Sequence, residues 1–192
     1  MSPADPRFPL LLVCGPSGTG KSSVAWEVYW TLGRAGVPVA HLDLDSVGYG
    51  PPPSAFGTWD MKIINAAALW KNYRTAGARC FVISGLPALR EQIDKSIRSL
   101  AGAIPTVCVL MVSPEEQSER ILRRARGLYA LEHGGASSAQ TPEALAQTTA
   151  AAARELTDEV ELIPGSLVID TVGFTVTAIA ELLIEQTGWP NA

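Results

Sequence analysis

The sequence predicts an α/β protein with a mostly parallel sheet and helices on both faces. Three observations carry this. Short apolar runs alternate with longer helical stretches along the whole chain. The runs are nearly unbroken Val, Leu, Ile and Cys, as strands covered on both faces require. The first run is followed by Gly15-Pro16-Ser17-Gly18-Thr19-Gly20-Lys21-Ser22 and then a helix start, a complete G-x-x-x-x-G-K-[ST] loop in strand–loop–helix context.

The elements follow in order. The strands are expected over 8–14, 37–43, 79–84, 104–112 and 166–170. Helices are expected over 21–34, 59–77, 87–101, 114–130, 142–158 and 175–187. Gly33 and Gly36-Val37-Pro38 part the first helix from the second strand. Gly50-Pro51-Pro52-Pro53-Ser54 is a stiff connector. Ser113-Pro114-Glu115-Glu116 places a capping Ser, a first-position Pro and acids in the first turn, and Thr141-Pro142-Glu143 repeats the signal. His133-Gly134-Gly135-Ala136-Ser137-Ser138 is small and polar and reads as a mobile stretch. No repeat and no second domain is evident, so residues 1–192 are expected to form one unit, with a lid over 114–140.

Composition limits the classes of function. No apolar run reaches the ~18 residues of a membrane span, and Met1–Arg7 lacks a signal-peptide charge pattern; a cytoplasmic protein is expected. The net charge is −4 and no basic run occurs, which speaks against nucleic acid as a partner. Cys14, Cys80 and Cys108 are scattered through apolar segments and read as core thiols. His41, inside a strand, reads as a core residue, and Trp26, Tyr29 and Trp30 on the first helix read as core or sheet-facing.

The loop dictates the first chemistry. Its glycines let backbone N–H groups converge on phosphate oxygens, and the helix that follows adds its positive end. Gly15, Ser17, Gly18, Thr19, Gly20, Lys21, Ser22 and Ser23 are therefore expected to hold a nucleoside triphosphate, ATP by default. Lys21 reaches the β- and γ-phosphates, and Ser22 offers a hydroxyl to Mg²⁺.

In open α/β sheets ligands bind beyond the carboxyl ends of the strands. Strand two ends in Asp43-Leu44-Asp45, two carboxylates spaced to point the same way. Asp43 is the candidate metal ligand and general base, and Asp45 the candidate acceptor-binding residue. Strand three ends in Ser84-Gly85 rather than an acid; these two either bind substrate or permit a tight turn. Arg120, Arg123 and Arg124 share a helix face. Arg120 and Arg124 are candidate catalytic lid arginines, since guanidinium groups stabilise charge on a transferring phosphoryl group. The i,i+4 partners Glu116 and Glu119 leave open an ordinary solvated helix. Phe56, Trp59, Trp70 and Tyr73 flank or lie on the helix after strand two, with Trp59 the candidate acceptor contact or a core residue. Thr171-Val172-Gly173-Phe174 is expected near the nucleotide base.

Together, the loop, the Asp43-Leu44-Asp45 pair and the Arg-rich helix after strand four resemble the small P-loop kinases. These include adenylate, shikimate, gluconate and adenylylsulfate kinases, chloramphenicol phosphotransferase and zeta-toxin-like kinases. The resemblance implies a three-layer P-loop NTPase fold with strand order 2-3-1-4-5, ATP as donor and a small-molecule acceptor such as a nucleoside, nucleotide, sugar or antibiotic-like metabolite. Ser46-Val47-Gly48-Tyr49 stands where shikimate- and adenylylsulfate-type kinases carry Arg, so no named acceptor is implied. A GTPase switch is disfavoured, because neither D-x-x-G match is suitably spaced and no N-K-x-D occurs. A nucleotide-binding regulator or partner-dependent ATPase without an acceptor is the alternative. The oligomeric state is left open.

Overall fold

The computed structural model describes residues 7–48, 59–132, 141, 143, 144, 147, 150, 151 and 163–189. Its five strands are β1 (Phe8–Cys14), β2 (Val39–Asp43), β3 (Cys80–Leu86), β4 (Ala103–Met111) and β5 (Leu167–Asp170). They form one sheet in the order β2-β3-β1-β4-β5, every pair parallel. Five helices are described in full: α1 (Lys21–Arg34), α2 (Trp59–Thr75), α3 (Arg90–Ser99), α4 (Pro114–Glu132) and α5 (Val176–Thr187). Of the helix expected over 142–158, residues 143, 144, 147, 150 and 151 are helical and the rest lie outside the described residues.

The central strand explains the layers. Leu10 through Cys14 are fully buried, and alternate side chains go to opposite faces. Leu10 and Leu12 join Phe81, Ile83, Trp70 and Ile93 under α2 and α3. Leu11 and Val13 join Val24, Val28, Val82, Leu110, Ile179 and Leu183 under α1 and α5. Each such leucine contributes about 2 kcal/mol by leaving water. A strand serving two cores has no polar face, which is why its sequence shows no alternation. The three cysteines are buried and unpaired, and burial pushes the Cys108 thiol up to about 12 and Cys80 to about 11.

The order is the one the resemblance implies, and β1 and α1 have the expected limits. Two boundaries differ in ways that matter. β3 runs on to Leu86, so Ser84 and Gly85 lie inside the strand rather than after it. The register pairs Asp43 with Ser84, so both extend to the same height. β2 begins at Val39, because Pro38 has no N–H to give a ladder.

A second correction concerns the aromatics of α1. Trp26 and Trp30 do not enter the core, being 50% and 47% exposed, although Trp26 keeps the sheet-facing packing that is the other expectation. The buried face of α1 is Val24, Ala25, Val28 and Leu32, so Trp26 and Trp30 sit toward the open edge of β2. There Trp26 packs edge-on to His41, with ring centroids 5.4 Å apart.

Candidate active site

The loop between β1 and α1 is built from positive-φ glycines. Gly15, Gly18 and Gly20 have φ of 139°, 84° and 95°. Gly15 is also forced by space, since a Cβ there would lie 2.5 Å from the Leu110 carbonyl oxygen. Its N–H donates to Leu86 O at 3.1 Å, which anchors the loop to the end of β3. Gly20 caps α1 without a side-chain hydrogen bond to the first turn. The first-turn amides are thus left to an anionic ligand.

Inside the loop, Thr19 is buried and its hydroxyl donates to Pro16 O at 2.9 Å. The Lys21 ammonium donates to the same oxygen at 2.9 Å. Burial lowers the Lys21 pKa, opposed by Asp45 and Asp43 and reinforced by Arg124. A partly buried ammonium beside the first-turn amides suits phosphate oxygens well. The far side of the loop is held by α4: buried Gln117 donates from Nε2 to Ser17 O at 2.9 Å. A Cβ on Gly18 would sit 3.2 Å from Gln117 Cγ and Ile121 Cγ1, so α4 lies directly on the loop. Gln117 has no motif to announce it; only the packing reveals it.

Asp43 ends β2 beside the loop. Its Oδ1 accepts from the Asp45 amide at 2.9 Å. Burial pushes the carboxyl up, but hydrogen bonds from Ser22, the Asp45 amide and Ser84 outweigh this and hold it below the usual range. It is therefore ionised at neutral pH. His41 Nε2 lies 3.4 Å from Ser84 Oγ, and burial lowers the imidazole pKa against the pull of Asp43. Ser22, Asp43, Ser84 and His41 thus form one polar cluster across α1, β2 and β3.

Gly85 serves that cluster by being small. At φ +81°, a Cβ on it would lie 2.7 Å from Asp43 Oδ1 and 2.9 Å from Asp45 N. Its surroundings give it a role beside the two open in the sequence, substrate contact and a tight turn: room for the Asp43 carboxylate. Gly85→Ala is expected to lower stability by about 1–3 kcal/mol and to displace the Asp43 carboxylate. Denaturant unfolding together with turnover per folded molecule would measure both.

The remaining candidates divide. Asp45 is 63% exposed at its side chain and pairs with Lys62 of α2 at 2.9 Å. Trp59 is half-buried against the core under α2, with the Lys62 ammonium 5.8 Å from its ring centroid. Its indole N–H is buried with no partner among the described residues. Trp70 is core, stacked on Phe81; Phe56 and the connector around it lie outside the described residues. On α4, Arg120 is committed: it donates to Glu116 Oε1 at 2.8 Å and to Thr171 Oγ1 at 2.9 Å. Arg123 pairs with Glu119 at 2.7 Å. Arg124 is exposed, has no such bond among the described residues, and lies close enough to act on Lys21. Residues 133–140 of the expected lid lie outside the described residues. Phe174 projects 61% exposed from the turn after β5.

Mg²⁺ fits this site, since Ser22 and Asp43, a hydroxyl and a carboxylate, are hard oxygen donors that line the same cleft.

No protein-family model and no curated protein matches the chain. Solved structures do. The APS kinase of Mycobacterium tuberculosis, in complex with AMPPNP and APS, is 19% identical with a TM-score of 0.61, covering 94% of this chain and 98% of that one. The Deinococcus radiodurans tunicamycin resistance protein is 16% identical at 0.61, covering 95% and 96%. A gluconokinase from Sinorhizobium meliloti is 21% identical at 0.58, covering 95% and 93%. The chain therefore has the three-layer fold of the P-loop kinases.

Proposed function

We propose that the chain is an ATP-dependent phosphotransferase that moves the γ-phosphate to a small-molecule hydroxyl. The observation that carries this reading is that Asp43 and Ser22 line one cleft. It puts a carboxylate at the end of β2 beside the first turn of the helix that follows the glycine loop. The kinase activities in the names of the solved neighbours support the same class.

The geometry supports the following roles. Gly15 to Ser23 and the α1 amides hold the triphosphate. Ser22 and Asp43 would hold Mg²⁺, which when bound neutralises phosphate charge and orients the transferring group. Asp43 takes the proton as the acceptor oxygen bonds to phosphorus and the bond to the β-phosphate breaks. Lys21 releases Pro16 and follows the charge that develops on the leaving phosphate. Arg124 adds positive charge from the α4 side. Phe174, exposed in the turn after β5, borders the base.

Arg120 and Arg124, alike in sequence, are expected to behave differently. Arg120→Ala cuts the tie between α4 and the β5–α5 turn, so its melting temperature should fall by several degrees, about 1–2 kcal/mol. Arg124→Ala should leave the melt unchanged and lower kcat about 10- to 100-fold. Thermal melts and steady-state kinetics on both variants separate the two.

The reading is tested by transfer of labelled γ-phosphate from ATP, with Mg²⁺, to a panel of nucleosides, nucleotides, sugars, sugar acids and antibiotic-like alcohols. A labelled product that disappears in Lys21→Ala establishes it. Hydrolysis stimulated only by a protein partner overturns it in favour of a regulatory ATPase.

A further inference from the structure

The space beside Asp43 says which acceptors it takes. A cleft of about 480 Å³ is bounded by Ser22, Ser23, Trp26, His41, Asp43 and Ser46. A second cavity of about 350 Å³ lies along the free edge of β2, lined by Tyr29, Pro38 and Tyr73 among others. Trp26 and His41 line both, so the two lie side by side along β2 as a groove in two parts, with Asp43 in the first.

The groove combines two properties. Its walls are aromatic. Trp26 lies one turn beyond Ser22 on α1, held by Tyr29, Trp30 and His41 at centroid distances of 5.4, 5.9 and 5.4 Å, yet half its surface is open. A braced, half-open indole beside a reaction centre presents a flat apolar surface that a ring can cover. The groove also lacks a cation: among the described residues no Lys or Arg lines either part. The nearby ammonium groups are engaged, Lys21 with Pro16 O and Lys62 with Asp45. The fixed charge in the first part is the Asp43 carboxylate. A phosphate or carboxylate on the acceptor would find no cationic side chain along this described lining to pair with.

Resting on the phosphotransferase reading, we infer that the acceptor is an uncharged alcohol carrying an apolar ring system. Its reacting hydroxyl lies at Asp43, its ring covers Trp26, and the rest of the molecule runs past His41 toward Tyr29 and Tyr73. Trp26 is a specificity-determining residue that acts by binding rather than by chemistry.

The test sets neutral ring-bearing alcohols (adenosine, p-nitrophenyl glucoside, phenylpropanoid alcohols) against anionic relatives (AMP, glucose 6-phosphate, gluconate). Wild type, Trp26→Ala and Trp26→Phe are assayed for γ-phosphate transfer, with ATP binding followed separately by calorimetry. The expected result is labelling of a neutral alcohol. Trp26→Ala should raise its KM about tenfold with a much smaller change in kcat, and Trp26→Phe should restore most of the loss. Labelling confined to anionic acceptors, an unchanged KM in Trp26→Ala, or no labelled alcohol while ATP binding depends on Lys21 each overturns the inference and leaves the nucleotide site standing. Absence of any ATP binding overturns the reading beneath it.

Discussion

Replacing Lys21 by methionine is expected to lower kcat for phosphoryl transfer by about 10²–10³-fold or more, with the fold intact. The side chain lies in the phosphate loop, and its ammonium is spent on the Pro16 carbonyl at 2.9 Å until a ligand competes for it. Burial disfavours that charge, as its lowered pKa shows, so the loop keeps it at a cost in stability that a phosphate would repay. Methionine retains the buried stem and removes the charge, so the melting temperature should hold or rise. Thermal melts, ATP titration and single-turnover transfer distinguish lost chemistry from lost structure. A variant that transfers phosphate at the wild-type rate would remove Lys21 from the mechanism.

Asp43→Asn is expected to lower kcat by about 10²–10⁴-fold while ATP affinity changes little. Asparagine can still accept the Asp45 amide bond, but it cannot receive a proton and carries no charge for a metal. Parallel losses in turnover and ATP affinity would show that Asp43 works through nucleotide binding and would sink its role as base. The same substitution has a pH signature. Because the folded carboxyl is held below its usual range, it contributes stability above the unfolded-state pKa, and that stability is lost as pH falls through the folded value. Asp43→Asn should therefore flatten the acid limb of a stability–pH curve measured by denaturant unfolding.

The parts of the site legible in the sequence are those made by contiguous residues. The phosphate loop could be read because Gly15, Gly18 and Gly20 must supply positive φ within a few residues of Lys21 and Ser22. Asp43 could be read because it ends an apolar run. The aromatic groove was within reach, since Trp26 follows Ser22 by one helical turn. Its spacing looks like a core stripe, though, and only the placement of α1 near the sheet edge exposes it. Gln117 left no trace, because it acts across 100 residues of chain through one hydrogen bond to Ser17.

Local chemistry alone therefore determined the α/β class, the phosphate loop and the acid at the end of β2. Each depends on backbone preferences and hydrophobic runs that span only a few residues. Tertiary structure decided the rest. It committed Arg120 to Thr171 and left Arg124 without such a bond among the described residues, though the two have the same helical setting. It made Gly85, open in the sequence between substrate contact and turn, the space for the Asp43 carboxylate. It also chose which aromatic residues are core and which are surface. These outcomes depend on what a distant segment places against each side chain, and no local pattern encodes that neighbour.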